Sequence, residues 1–243
     1  MAVEKSYEST QIEAFTALVS DGTYSEGFDH APQAKEFFGR VMSLVIKDIT
    51  GLGGSSVLDC GCGNGAWLDF LASEVAGESF SHYFGYDLTP QMVEVARRRL
   101  SRLGSAAHFQ AGSILEYSSY NFDDHSDKFE LIFTYDVVQQ LPKKLQYTAI
   151  EVMLDHLVEG GVAVIFDNDC YSDFGRKMGR KKFLTRYFGL KLVPRYYCNA
   201  SYPPLNRISE QIDRLQGYSA EVQVSPSGMK RALIIRKKLP MAV

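Results

Sequence analysis

Apolar and polar positions follow two different periods along this chain, and the change of period marks its elements. Residues 9–20 (STQIEAFTALVS) space Ile12, Phe15 and Leu18–Val19 at helical intervals, and Gln33–Asp48 sets Phe37, Val41, Leu44 and Val45 on one helical face. The intervening DGTYSEGFDH has the Gly, Ser and aromatic content of a loop, and Gly51, Gly53 and Gly54 stop the second helix. From Ser55 onward, short β-branched and aromatic runs take turns with amphipathic ones. Ser55–Cys60, His82–Tyr86, Ala107–Gln110, Phe129–Thr134 and Gly161–Asp167 read as strands. Ala66–Ala76, Pro90–Leu103 and Lys143–Val158 read as helices, with Thr89 as N-cap before a proline at the first helical position. The polar SSYNFDDHSDK stands where a third crossover helix would be expected.

A strand–helix series of this kind predicts an α/β fold, a doubly wound and mostly parallel sheet with helices on both faces. Two later runs, Leu190–Tyr197 and Arg231–Lys237, read as an antiparallel hairpin at the sheet edge and bring the expected sheet to seven strands. With no repeat, low-complexity tract or linker, residues 1–243 are expected to form one domain. Its parts are an N-terminal helical cap (1–50), a ligand-binding core (55–168), and a region of 169–243 that faces the substrate and supplies the edge strands.

Composition narrows the function classes. The 243 residues are 45% apolar and 23% charged, with a net charge of −3, which gives no general electrostatic argument for nucleic acid or an anionic membrane. No apolar run approaches the roughly 20 residues of a membrane span, and MAVEKSYEST has no apolar signal region. Cys60, Cys62, Cys170 and Cys198 are too few and scattered for a disulfide framework, so a cytoplasmic location is expected. Cys60-x-Cys62 has no nearby ligand to complete a metal site, and no metal is expected. The basic run Arg176–Lys182 (RKMGRKK) reads as a solvated helix face, with an acidic substrate or a partner surface as the other reading.

The candidate chemistry begins at SSVLDCGCGNGAW. An apolar strand ends in Asp59, then Gly61, Gly63 and Gly65 occupy alternate positions before a helix. Such a turn admits close backbone approach by a nucleotide-like ligand, but its spacing is not the G-x-G-x-x-G of dinucleotide binding. At the tip of the second strand, FGYDLTP places Asp87 to accept hydrogen bonds from ribose hydroxyls. After the third, QAGSILEY places Gly112, Ser113 and Ile114 where a polar and an apolar side chain can hold adenine. All three stations lie at carboxyl ends of strands, where open α/β sheets bind ligands.

VLDCGCGNG, GYDLTPQMVEVARRRL, FELIFTYDVVQQLP and LVEGGVAVIFDN, in this order from Val57 to Asn168, resemble the class I S-adenosylmethionine-dependent methyltransferases. The nearest branch is the small-molecule type similar to ubiquinone/menaquinone C-methyltransferases. The resemblance implies a Rossmann-like fold, S-adenosyl-L-methionine as cofactor with S-adenosyl-L-homocysteine as product, and methyl transfer to N, O or C of a small molecule. It implies that Asp59, Gly61, Gly63 and Gly65 line the methionine end of the cofactor, and that Asp87 holds the ribose. Leu88 would pack on adenine, Ser113 and Ile114 would sit at its edge, and the backbone oxygen of Thr134 would face the methionine portion. Ser113 replaces an Asp common in relatives, and Gln140 a His, which removes a titratable base at that position. Tyr135, Asp136, Asp167 and Asn168 would lie beside the transferred methyl, with His30 and Tyr24 folding over from the N-terminal segment. His82, His108, His125 and His156 are given no role.

Three other readings stay open. VIFDND followed by KFLTRYFGLKLV is similar in layout to protein α-N-methyltransferases, so a peptide N-terminus is a second acceptor class. An inactive scaffold that kept the fold is opposed by the intact glycine turn and Asp87. An NAD-dependent oxidoreductase is opposed by the glycine spacing. Asp173-Phe174-Gly175 lacks the other kinase motifs, and SYPPL (Ser201–Leu205) reads as a rigid turn.

Overall fold

The computed structural model describes residues 2–49, 55–122, 127–193 and 201–239, with side chains from Tyr7 onward. Seven strands form one sheet: β1 (Ser56–Cys60), β2 (His82–Asp87), β3 (Ala107–Ala111), β4 (Phe129–Tyr135), β5 (Leu157–Asn168), β6 (Tyr218–Val224) and β7 (Lys230–Lys237). Their order is β3-β2-β1-β4-β5-β7-β6. The first five pair in parallel, while β7 runs antiparallel to both β5 and β6.

Alternation along the strands builds two cores. Val57, Leu131, Phe133, Val164 and Phe166 face helices α2 (Pro32–Ile49), α3 (Ala66–Phe70) and α4 (Pro90–Arg99). Leu58, Phe84, Ile132, Ala163 and Ile165 face the opposite side, covered by α5 (Gln146–Asp155) and α7 (Leu205–Asp213). The N-terminal helix α1 (Ala2–Ser20) lies against α4, and α6 (Asp173–Phe188) follows β5. The strand order, not the strand direction, reverses between the parallel neighbours β1 and β4, so the crevice at their carboxyl ends is the topological switch point of the sheet.

Several expectations are corrected. The edge strand paired with the last strand is Tyr218–Val224, not the 190–197 run. Leu190 to Val193 form no strand, and residues 194–200 lie outside the described set. The segment after α3 is a π-helical turn, Leu71–Val75, rather than continuous α-helix. Helix α5 ends at Asp155, and β5 starts at Leu157, because Leu157 pairs with Phe129 and buried His156 bonds the Asp127 carbonyl through Nδ1 at 2.7 Å. Leu44 is exposed, and α2 buries Phe38, Met42 and Ile46 beside Phe37, Val41 and Val45. Thr89 caps α4 without a side-chain bond.

Candidate active site

Backbone hydrogen bonds lace the carboxyl ends of three strands together. The N–H groups of Gly61 and Cys62 both donate to the Tyr86 carbonyl at 2.8 Å, and the Gly112 N–H donates to the Asp87 carbonyl at 2.9 Å. Asp87 ties the same tips through its side chain: Oδ2 accepts from the Gly63 N–H at 2.9 Å and Oδ1 from the Thr89 N–H at 2.8 Å. Asp87 also lines the cavity, and a carboxylate can accept more bonds than these.

A cavity of about 240 Å³ opens at this point. Its floor is Gly61, Cys62, Gly63 and Asn64, and its far end is Asp87, Leu88, Gly112, Ser113 and Ile114. A Cβ built on Gly63 (φ +53°) meets nothing within 4 Å, so the turn presents bare backbone to the cavity. The roof comes from the N-terminus. Tyr7, Gln11 and Phe15, one helical stripe of α1, line the cavity together with Tyr24 and His30. Glu8 accepts from the Ser113 hydroxyl at 2.9 Å, Asn64 donates to the Ser25 carbonyl at 3.1 Å, and Arg98 pairs with Glu26, so α1 and its loop are tied to the strand tips.

The other end is aromatic. His30 stacks on Trp67 at 4.0 Å, and Trp67 on Tyr135 at 4.1 Å. The Lys230 ammonium lies 4.7 Å from the Tyr135 ring centre and pairs with Asp136. Asp136 holds φ = +61°, the only non-glycine residue with positive φ among those described. A backbone in that region costs of order 1–2 kcal/mol, and such strain concentrates where function fixes a side chain. Burial lowers the His30 pKa to about 4, so its ring is neutral at pH 7 and a weak base. Burial, reinforced by Asp136 and Asp167, raises the Tyr135 phenol far above its ordinary value, which makes it a hydrogen-bond donor.

Ten of the fifteen residues expected from sequence line the cavity: His30, Gly61, Gly63, Asp87, Leu88, Gly112, Ser113, Ile114, Tyr135 and Asp136. The structure sets the other five behind the wall. Asp59 is buried beneath the glycine turn, where burial and the neighbouring Asp87 push its carboxyl well up. Gly65 packs against α4, and Thr134 is fully buried. Asp167 accepts from the Gln139 N–H at 3.2 Å, and Asn168 donates to Gln139 Oε1 at 2.8 Å and to Asp136 Oδ1 at 3.5 Å, so both stand behind residues that line the cavity. Burial and Asp136 push the Asp167 carboxyl well above its ordinary range. Tyr7, Gln11, Asn64, Trp67 and Gln139 were missed. The one signal for Gln11 was a polar residue inside an apolar stripe, and for Trp67 its place as the chain's sole tryptophan just after the glycines.

Residues 57–161 match the family model described as a methyltransferase domain. By this match the core of the chain is similar to a methyltransferase domain. Over 104 residues it is 27% identical to a ubiquinone biosynthesis O-methyltransferase of Actinobacillus pleuropneumoniae serotype 7, a match covering 43% of this chain and 42% of that one. Over 149 residues it is 28% identical to the enzyme of that name from Aromatoleum aromaticum, covering 60% and 56%. The match thus spans about half the length of these curated relatives. In fold, the chain is similar to magnesium protoporphyrin IX methyltransferase of Synechocystis PCC 6803 with bound S-adenosylmethionine, at TM-score 0.62 and 13% identity, covering 96% of this chain and 97% of that one. Among the described residues no group of His, Cys, Asp and Glu could hold a metal, and no helix is long and apolar enough to cross a membrane.

Proposed function

We propose that this chain transfers the methyl group of S-adenosyl-L-methionine to N, O or C of a small acceptor with a flat apolar body. The observation that carries the reading is the Asp87 carboxylate, held by Gly63 and Thr89 at the end of β2 with acceptor capacity facing the cavity. When bound, the cofactor supplies an activated methyl group on a sulfonium. The residues of this chain would hold and orient. Asp87 would accept the two ribose hydroxyls, Leu88 and Ile114 would cover the adenine faces, and Ser113 would meet its edge. The backbone at Gly61 and Gly63 would pass along the methionine portion. Gln11 Oε1, buried and without a partner, fits a donor from the ligand, and Gln140 Oε1 another. Asp59, Gly65 and Thr134 would act by shaping the turn and strand behind this surface.

The acceptor would enter beside His30, Trp67 and Tyr135, whose stacked rings suit a flat ring system. The Asp136–Lys230 pair leaves that end charge-balanced, which suits a neutral acceptor. Alignment of donor and acceptor is the main contribution asked of the protein, since a sulfonium needs little further activation. Tyr135 would donate a hydrogen bond, Asp136 is the nearest carboxylate to take a proton, and His30 would serve as wall more than base. Asp167 and Asn168 would position Gln139. The peptide-acceptor reading loses ground because its Asp167-Asn168 dipeptide lies behind the wall. The free thiols of Cys60, Cys62 and Cys170 support a reducing, cytoplasmic setting.

Calorimetric titration with S-adenosylhomocysteine, and separately with NAD, tests the assignment. Micromolar binding of the first alone is expected, accompanied by a change in Trp67 fluorescence, since the sole tryptophan lines the cavity. Folded protein that binds neither would leave a scaffold, and binding of NAD would return the oxidoreductase.

A further inference from the structure

Away from the cavity, helix α6 carries a feature that methyl transfer does not use. Its sequence, DFGRKMGRKKFLTRYF, has six basic residues against the single Asp173, in a chain whose net charge is −3. Arg176, Arg180, Phe183 and Tyr187 follow one another at intervals of four, three and four residues, which sets them along one stripe of the helix. All four are exposed, with Phe183 at 54% and Tyr187 at 65%. Lys177 and Phe188 flank the stripe, and Leu190 and Leu192 extend the apolar end past the Gly189 cap, every one exposed. Phe183 contacts Tyr187, ring centres 4.9 Å apart, and Phe188 at 6.1 Å, so the three exposed rings form one aromatic patch at this end of the helix.

The opposite side of α6 is anchored. Ser172 caps its first turn by accepting the Gly175 N–H, Phe174 stacks on Tyr202 at 6.1 Å, and the Lys182 ammonium sits 4.2 Å from the Tyr202 ring centre. The adjoining Ser201 N–H donates to the carbonyl of Gln139, which lines the cavity. The stripe therefore stands on a fixed support that joins the acceptor side of the site.

We propose that the exposed stripe of α6 docks this protein on the surface of an anionic lipid bilayer. A helix with cations at one end and aromatic and leucine side chains at the other fits the boundary of headgroups and acyl chains. The leucines at 190 and 192 favour lipid over nucleic acid, where base stacking calls for rings rather than aliphatic chains. The charge is local, so the acidic remainder of the molecule orients α6 toward an anionic surface instead of opposing the contact uniformly. Because no described helix could span a bilayer, the contact is peripheral and reversible.

Flotation of the full chain with vesicles tests this directly. Vesicles of one-third phosphatidylglycerol in phosphatidylcholine should carry the protein, and pure phosphatidylcholine should not. Lys177→Ala with Arg180→Ala should lower the partition coefficient about thirtyfold, each basic residue near the surface being worth roughly fivefold. Phe183→Ser with Tyr187→Ser should remove binding even at low salt. Both double variants should keep the wild-type melting temperature and affinity for S-adenosylhomocysteine, since none of these side chains lines the cavity. The proposal fails if anionic vesicles leave the protein behind, if neutral vesicles carry it equally, or if both variants still float. It also fails if light scattering shows a dimer abolished by the Phe183/Tyr187 pair of changes while vesicle binding is absent.

Discussion

Replacing Asp87 by alanine removes one carboxylate with an internal duty that the hydrogen bonds show and a ligand-binding duty that we propose, and each can be weighed. The first is internal: Gly63 N–H at 2.9 Å and Thr89 N–H at 2.8 Å lose their acceptor. Gly63 faces the cavity, where water can replace the lost oxygen. Thr89 is buried, and an unsatisfied buried N–H costs about 1–3 kcal/mol. The second duty is toward ligand. Two ribose hydroxyls donating to a charged acceptor, less the water that takes their place, should be worth about 1.5–3 kcal/mol, or roughly ten- to 150-fold in Kd. Asp87→Asn separates the two, because its amide oxygen can still accept from Thr89 while the charge is gone. Affinity for S-adenosylhomocysteine by calorimetry, beside thermal melting, reads both duties. Alanine should lower affinity and melting temperature together, and asparagine should lower affinity with most of the stability kept. Unchanged affinity in folded Asp87→Ala protein would refute the ribose assignment, whatever happened to stability.

Gly65→Ala puts a Cβ 2.6 Å from Leu100 Cδ1 at φ = +76°, so overpacking and a disfavoured backbone together should cost about 2–4 kcal/mol. For a chain of this size the melting temperature should fall by roughly 5–15 °C in calorimetry, and a smaller drop than 2 °C would mean the turn relaxes freely. His30, with its pKa lowered to about 4, stays neutral in the fold where the unfolded chain takes up a proton, so stability falls as pH drops from 6.5 toward 4. His30→Asn should remove that part of the slope in denaturant titrations, and identical slopes would contradict the burial of the ring. Asn168→Ala should leave S-adenosylhomocysteine affinity within about twofold, while lowering turnover on any acceptor found, because Asn168 acts on the cavity through its bonds to Gln139 and Asp136. A tenfold loss of cofactor affinity would place Asn168 on the wrong side of the wall.

The half of the cavity formed by the strand tips was legible because each of its parts is local. The glycine turn, Asp87 and Ser113–Ile114 each follow directly on a strand, and parallel pairing with β1 at the switch point brings the three tips together once the strand order is known. The N-terminal roof was half legible. Helical spacing located α1, but the stripe that lines the cavity is Tyr7–Gln11–Phe15, and a glutamine amid apolar neighbours carries no address. The edge was misread for a physical reason too. Residues 190–197 and 218–224 are both short and apolar enough to pair, and it is Tyr218–Val224 that pairs with β7 along its whole length.

The acceptor half depends on long-range register, which no single stretch of sequence spells. Antiparallel pairing of β5 with β7 sets Asn168 opposite Lys230 and Asp167 opposite Arg231. That register alone brings the Lys230 ammonium over Tyr135 and onto Asp136, two residues nearly a hundred positions earlier in the chain. A slip of one residue would turn Lys230 to the other face and leave Asp136 an uncompensated carboxylate at the mouth of an aromatic pocket. On the proposed reading, the charge that an acceptor would meet is set by β7, while the charge that the cofactor would meet is set at the tip of β2. Changes in the late strand are expected to alter acceptor preference without touching the proposed ribose carboxylate, and this separation is why the likeness to a methyltransferase domain can be read from residues 57–161 while the far end of the cavity is read only from the folded molecule.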